Sequence, residues 1–373
     1  MKNIIVLGAG MVGRAMAVDL SDRYTVTAVD RDDQALKKLK KTKVKTIQAD
    51  LGKAANITRL VKQADFVVIS VPGFMGYKTV EAVIKAGKNA VDISFFDENA
   101  FDLDKLAKKH QVSVVVDCGV APGMGNIIVG HWEKRMTIDS FEYLAAGLPV
   151  IRQWPFEYKA PFSPVDVVEL YTRPPRHREN GVLVVKPAMS ETELIHFPEV
   201  GTLEAFATDG LRSLLQTSQI PNMVEKTMRY PGHIRLMQAF KEGGFFSEEP
   251  VKFGAAKITP LDFTCQVLFK SWKLADTDEE FTVMRAALTG KQNGRRRKVT
   301  YQVIDRFDRV TGFSSMARTT GYTATAVAEL MLSGKFKKIG ICPPEYVGAK
   351  DGCLDFVVKY LKDRGVDYKI TLD

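Results

Sequence analysis

Cysteine is scarce in this sequence. The 373 residues include four, Cys118, Cys265, Cys342 and Cys353, with no C-x-x-C spacing. That argues against a disulfide framework or a zinc site and suits a reducing compartment, so no metal is expected. Long apolar runs are missing too. No stretch reaches the length of a membrane span, and Met1 leads straight into a strand pattern, with no signal peptide before it. The expectation is a cytoplasmic chain without a membrane partner. Histidine is rare, five residues in all, so few imidazoles are available for acid–base chemistry. There is no internal repeat and no low-complexity segment. Nor is there an acidic excess: the net charge is +9. Lysines crowd Lys37 to Lys45, and basic residues run from Arg295 to Lys298. No aromatics interleave these runs, so they read as solvated helix and hairpin surface, and no nucleic acid is expected.

What is present begins at once. Hydrophobic residues make up 45% of the chain, which lets two domains build cores of their own. Ile4-Ile5-Val6-Leu7 reads as a buried parallel strand. Gly8-Ala9-Gly10-Met11-Val12-Gly13 follows at G-x-G-x-x-G spacing. Gly8 allows the tight turn, Gly10 lets backbone approach a pyrophosphate at a helix N-terminus, and Gly13 lets the helix lie close on the strand. Val12, Met16 and Leu20 then repeat at helical spacing. A second strand ends at Asp30, where a carboxylate can accept the ribose hydroxyls of an adenosine and repel a 2′-phosphate. The cofactor expected is NAD, with NADP less favoured, and the positive net charge helps attract it. Arg31 is expected over the adenine, and Asp50 and Leu51 near it, unless Asp50 caps the next helix.

The first 120 residues alternate strand and helix, which implies right-handed crossovers and a doubly wound Rossmann-type parallel sheet. The helical stretches are Asp32 to Lys41, Tyr77 to Ala86 and Leu103 to Lys109. The strands are Val44 to Gln48, Ala64 to Ser70, Asn89 to Ile93 and Val112 to Val116. Val71-Pro72-Gly73-Phe74 is read as a loop at a strand's carboxyl end, where ligands bind in open sheets. Gly119, Pro122 and Gly123 mark a domain crossing. Longer, partly alternating strands follow, and Asn293-Gly294 is a hairpin signal. This reads as an α+β domain with a mixed, mostly antiparallel sheet, one face of which suits a homodimer. From Ser315 the chain turns helical and returns to the first domain. The boundaries expected are 1–122, 123–315 and 316–373.

Four motifs carry a resemblance: Asp117-Cys-Gly-Val-Ala-Pro-Gly-Met124, Asp209-Gly-Leu-Arg-Ser213, Thr227-Met-Arg-Tyr-Pro-Gly-His233 and Met316-Ala-Arg-Thr-Thr-Gly-Tyr322. With Cys342-Pro-Pro-Glu345 they resemble the saccharopine dehydrogenase-like family over nearly the whole chain, and within it the lysine 6-dehydrogenase subgroup. The resemblance implies hydride removal from C6 of L-lysine, hydrolysis of the imine to the 6-semialdehyde, and ammonia release. Saccharopine reductases carry Asp where this chain has Ala121, and an Arg after a Phe/Trp-Ser stretch. Here Pro161 to Asp166 has no Arg. Both losses favour free lysine, a small amino-acid substrate, over saccharopine.

Several residues then become candidates. Arg212, in its glycine loop, suits bidentate grip on an α-carboxylate. Arg229 fits an ion pair within the sheet or a ligand role. His233, following Pro231-Gly232, is the better acid–base candidate, as a loop imidazole titrates near neutrality; the alternative is a structural hydrogen bond. His110 and His177 look like surface. Asp117 closes its strand where a nicotinamide would sit, and either handles the ε-ammonium or caps the turn at Gly119. Cys118 reads as small packing near the cofactor. Tyr158 and Glu157 fit the pocket wall, and Glu157 an α-amine. Arg318 and Thr319 open a helix whose N-terminus can receive a carboxylate. Two other functions compete. One is a dehydrogenase making or cleaving a secondary amine, such as saccharopine or a carboxylated polyamine (carboxynorspermidine). The other is a nicotinamide-binding sensor or scaffold without turnover.

Overall fold

Ile4 to Leu7 lie buried in β1 (Asn3–Leu7), as an unbroken apolar run does in a parallel sheet. The alternation then proceeds through α1 (Met11–Ser21), β2 (Thr25–Asp30), α2 (Asp33–Lys37), β3 (Lys45–Gln48), α3 (Ala54–Val61), β4 (Phe66–Ile69), α4 (Gly73–Lys85), β5 (Ala90–Asp92), α5 (Asp104–Lys109), β6 (Ser113–Val115) and α6 (Met124–Trp132). Met16 and Leu20 of α1 are buried. The strands pair in parallel in the order β6-β5-β4-β1-β2-β3. Strand order reverses between β1 and β4, which places the ligand-binding crevice of such a sheet beyond their carboxyl ends. The structure is a computed structural model and describes residues 1–161, 164–254, 256–275 and 277–373. Phe162 and Ser163, within the stretch whose missing arginine bears on substrate choice, lie outside the described residues.

Two local expectations give way here. α2 stops at Lys37, and the remainder of the lysine-rich stretch forms turns, because only Leu36 and Leu39 find burial there. Gly73 and Phe74 open α4 rather than a loop; Pro72 sits at the N-cap, where its missing N–H costs nothing.

The second unit runs through β7 (Thr137–Pro149), α7 (Pro164–Thr172), β8 (Arg176–Glu179), β9 (Val182–Val185), β10 (Glu193–Phe197), β11 (Gly201–Ala207), α8 (Leu214–Thr217), β12 (Asn222–Arg229), α9 (His233–Glu242), β13 (Val251–Phe253), β14 (Ala256–Ile258), α10 (Pro260–Trp272), β15 (Glu280–Gln292) and β16 (Arg295–Arg306). Its sheet is mixed: β12 pairs β7 in parallel, while the β10–β11, β11–β12, β8–β9 and β15–β16 pairs are antiparallel. Asn293 (φ +50) and Gly294 (φ +77) make the expected two-residue turn of the β15–β16 hairpin. The helices α7, α8, α9 and α10 are not anticipated by the sequence reading, which finds only strands there. For α10 a signal exists: Thr259 caps the Asp262 amide, with Pro260 in the first turn.

The chain then forms α11 (Ser315–Leu332), β17 (Gly340–Cys342), α12 (Pro344–Gly348), α13 (Cys353–Lys362) and β18 (Lys369–Leu372). β17 extends the first sheet beside β6 as its seventh strand, also in parallel. β18 pairs antiparallel with β16 in the second sheet. The compact units are therefore Met1–Thr137 with Met316–Tyr368, and Ile138–Ser315 with Lys369–Asp373. α6, which follows the Gly–Pro loop, stays with the first unit. There it packs on α12, and a Cβ at Gly130 or Gly348 would stand 1.9 Å from the facing backbone oxygen. Among the described residues no helix is long and apolar enough to cross a membrane.

Candidate active site

In the first unit the glycine loop has the shape its spacing requires. Gly8 has φ +100, and a Cβ there would stand 2.1 Å from the Ser70 carbonyl oxygen. A Cβ on Gly13 would stand 2.1 Å from the Gly8 oxygen, so α1 lies directly on the turn. Gly10 has no neighbour within 4 Å in the same direction. It is the N-cap of α1, with no side-chain cap and no acidic residue in the first turn. Open space facing uncapped amides fits a pyrophosphate. Asp30 accepts from the Ala9 amide through Oδ2 (2.7 Å) and from the Asp32 amide through Oδ1 (2.9 Å), which fixes its charge beside the loop. Arg31 is exposed, and its carbonyl accepts from Gln48. Asp50 accepts from the Gly52 amide at 2.9 Å and does not cap α3, whose N-cap is Lys53. Ala9, Leu51 and Val71 are buried, Met11 and Val12 half-buried, and Pro72 and Phe74 exposed.

The Asp117 loop closes on itself: Gly119 donates to the Pro122 carbonyl and Met124 to the Gly119 carbonyl, both at 2.9 Å. Asp117 is buried with φ +51. The Cys118 amide donates to the Asp92 carbonyl, and burial pushes its thiol pKa far up, so this sulfur packs and does not react. Arg318 and Thr319 sit buried in the opening turns of α11, and Arg318 donates to the Arg364 carbonyl at 3.2 Å.

In the second unit the polar candidates gather around one face of β12. Glu225, Thr227 and Arg229 alternate on that face and are all buried. Arg229 donates from Nε to the Tyr171 hydroxyl (2.9 Å) and lies over the Tyr158 ring at 4.4 Å. The Tyr171 oxygen is 3.0 Å from His233 Nε2, and His233 Nδ1 is 2.8 Å from the Phe156 carbonyl. A carbonyl only accepts, so Nδ1 carries the proton and Nε2 accepts from Tyr171. His233 is thus not a loop imidazole that titrates near neutrality. It is the first residue of α9 and 3% exposed, and burial next to the Arg229 charge lowers its pKa to about 3. Tyr158 is buried among these rings, and burial raises its pKa. Glu157 pairs with Arg152 at 2.6 Å through Nε. His177, expected at the surface, is buried on β8. Its neighbours Glu179 and Glu191 are both held by Lys186, at 2.6 and 3.0 Å, a cation already in place among them.

Arg212 is buried on the loop between β11 and α8, with φ +50. Asp117, Glu157 and Arg212 are three of the eight described non-glycine residues with positive φ. Such backbone persists where the surroundings impose it, and it clusters at functional positions. Sequence reasoning missed Glu225 and Tyr171. The signal for Glu225 was weak: Glu225, Thr227 and Arg229 share one parity of β12, but Asn222 and Lys226 are polar on the other, so the alternation does not tell which face is buried.

Comparisons with known proteins agree with this layout. Residues 4–115 match the saccharopine dehydrogenase NADP binding domain, and residues 119–366 the saccharopine dehydrogenase C-terminal domain. The mitochondrial alpha-aminoadipic semialdehyde synthase of Mus musculus is 24% identical over 267 residues; the match takes in 66% of this chain but 29% of that protein, so this chain corresponds to a minor part of it. The saccharopine dehydrogenase [NADP(+), L-glutamate-forming] of Saccharomyces cerevisiae is 21% identical, with 97% of both chains covered. Among solved structures, the apo L-Glu-forming saccharopine dehydrogenase of Saccharomyces cerevisiae superposes with a TM-score of 0.78 at 19% identity over all of both chains. A homospermidine synthase from Legionella pneumophila, in complex with NAD, gives 0.69 at 12% identity over 99% of this chain and 91% of that one. The two domain matches together span nearly the whole sequence, and this chain belongs to the saccharopine dehydrogenase family.

Proposed function

We propose that this chain is an NAD-dependent dehydrogenase that oxidises L-lysine at C6, forming the 6-semialdehyde and releasing ammonia. The observation that carries this is Ala121, where saccharopine reductases resembling this loop hold an acid, together with Arg212 on its strained loop as the arginine for one α-carboxylate. When bound, the nicotinamide accepts the hydride. The protein residues do the rest. The amides at the start of α1 and the space over Gly10 hold the pyrophosphate. Asp30 accepts the ribose hydroxyls with the lone pairs left by Ala9 and Asp32, and its fixed charge disfavours a 2′-phosphate. Arg212 grips the α-carboxylate. Asp117 holds the ε-ammonium and takes its proton, since hydride leaves C6 only after that nitrogen sheds its charge. Water then adds to the imine, and ammonia departs. Neutral His233 supports this site through Tyr171 and Arg229 and does not itself titrate in the working range. The protein works as a homodimer.

A second reading follows from the relatives, several of which are named saccharopine dehydrogenases: oxidation of a secondary amine such as saccharopine. Lysine labelled with nitrogen-15 at the ε position separates the two. The label appears in ammonia if the first reading holds. No ammonia from lysine, with NADH formed from saccharopine and a carbonyl co-product, replaces it with the second.

A further inference from the structure

The loop that carries Arg212 is held from behind by one carboxylate. Glu225 is 3% exposed on β12. Its Oε2 accepts from the Thr208 hydroxyl at 2.5 Å and from the Gly210 amide at 3.1 Å. Because Thr208 donates to Glu225, the Thr227 hydroxyl, 2.9 Å away, donates to Thr208. Gly210 is pressed so closely against Glu225 that a Cβ there would stand 2.6 Å from the carboxyl carbon. On the loop's other flank Arg176 grips Asp209, from Nε to Oδ1 at 2.9 Å and from the guanidinium terminus to Oδ2 at 2.8 Å. The backbone from 208 to 210 is therefore clamped on two sides. Arg212 follows two residues later in the left-handed conformation, which an arginine does not adopt unless its surroundings impose it.

We propose that Glu225 is a positioning residue: by holding Thr208 and Gly210 it sets where the Arg212 guanidinium stands, and it does so fully only when ionised, so amino-acid binding weakens as Glu225 takes up a proton. This rests on the reading of Arg212 as the carboxylate ligand. An ionised acceptor makes hydrogen bonds roughly twice as strong as a neutral one. Burial raises the Glu225 pKa to about 7; the bonds from Thr208 and Gly210 and the Arg229 charge oppose the rise, while the Asp209 charge adds to it. Tyr143 is its register partner on the neighbouring strand β7, on the same side of the sheet. The titration therefore falls in the range where the enzyme would work.

The test uses the full chain with NAD, and norleucine as the probe. Norleucine has the α-carboxylate of lysine but no ε-amine, so its binding is free of the ε-ammonium titration. Its inhibition constant is measured from about pH 5.5 to about pH 8.5 for wild type and Glu225→Gln, beside hydrogen–deuterium exchange of the 208–213 segment. In wild type the constant should rise about tenfold as pH falls through 7, the value of one charge-assisted hydrogen bond, and the protection of 208–213, relative to the intrinsic exchange rate at each pH, should fall in step. Glu225→Gln should show neither dependence. A flat wild-type profile, or a Gln variant that keeps the wild-type slope, overturns the proposal. Gly210→Ala, which pushes the carboxylate away, should raise the constant at all pH values and flatten the profile; wild-type behaviour there also overturns it. Ammonia release from lysine at alkaline pH judges the lysine reading separately, and without it the exchange data still decide whether Glu225 holds the loop.

Discussion

Arg212 is a buried cation whose backbone is strained to present it. Truncation to alanine removes one side of a charge-assisted pair, a loss of about 2–5 kcal/mol. Arg212→Ala should therefore raise KM for the amino acid far more than the Kd for NAD. Equal losses, read by steady-state kinetics and calorimetry, would move Arg212 to the fold or the cofactor. Glu225 also makes a stability prediction with a definite sign. Its folded pKa, about 7, lies above its ordinary 4.5. Its contribution is then fully present below about pH 4.5 and lost as pH rises through 7, where the buried group must ionise. Glu225→Gln escapes that cost. Its unfolding free energy should match wild type near pH 4.5 and exceed it above pH 7 by an amount on the order of 3 kcal/mol from the linked shift, read by denaturant titration at each pH. A gain confined to acid pH would contradict the assignment.

At the scale of elements, the β1–α1 turn and the end of β2 act together. Ala9 of the turn binds Asp30 of the strand, so the carboxylate is set by two elements at once. Higher kcat/KM with NAD than with NADP should follow, and Asp30→Ser should narrow or reverse that ratio, because the charge that opposes a 2′-phosphate is gone while exposed Arg31 remains. A wild-type preference for NADP would count against the role of Asp30. β12 shows the complementary case. One face of a single strand carries Glu225, Thr227 and Arg229, and so supports the Arg212 loop at one end and the Tyr171–His233 pair at the other.

For the whole molecule, the second sheet ends in strands that, among the described residues, leave apolar side chains exposed. β9 pairs with β8 alone and β10 with β11 alone, yet Val182, Leu183, Val185 and Leu194 are more than half exposed on them. Apolar side chains on open edges favour a second copy over solvent. Light scattering should give twice the chain mass at micromolar concentration, and Val185→Lys with Leu194→Lys should give a monomer. A monomeric wild type would discard the homodimer.

Features governed by neighbours in sequence were legible without a structure. The glycine turn, Asp30 at its strand end, the Asn-Gly hairpin and the parallel-strand runs depend on backbone geometry and local periodicity. Tertiary structure decided what depends on distant partners. β17 and β18 are short strands whose sheets are chosen by β6 and β16, far away in the chain. His233 reads like a loop imidazole, but Tyr171, Trp272 and Arg229 surround it, and their burial and charge set its protonation. Glu225 reads like any strand glutamate until Thr208 and Gly210 fold against it. A side chain's type is local, whereas its solvent exposure and its hydrogen-bond partners belong to the packed molecule, and those set its charge and its role.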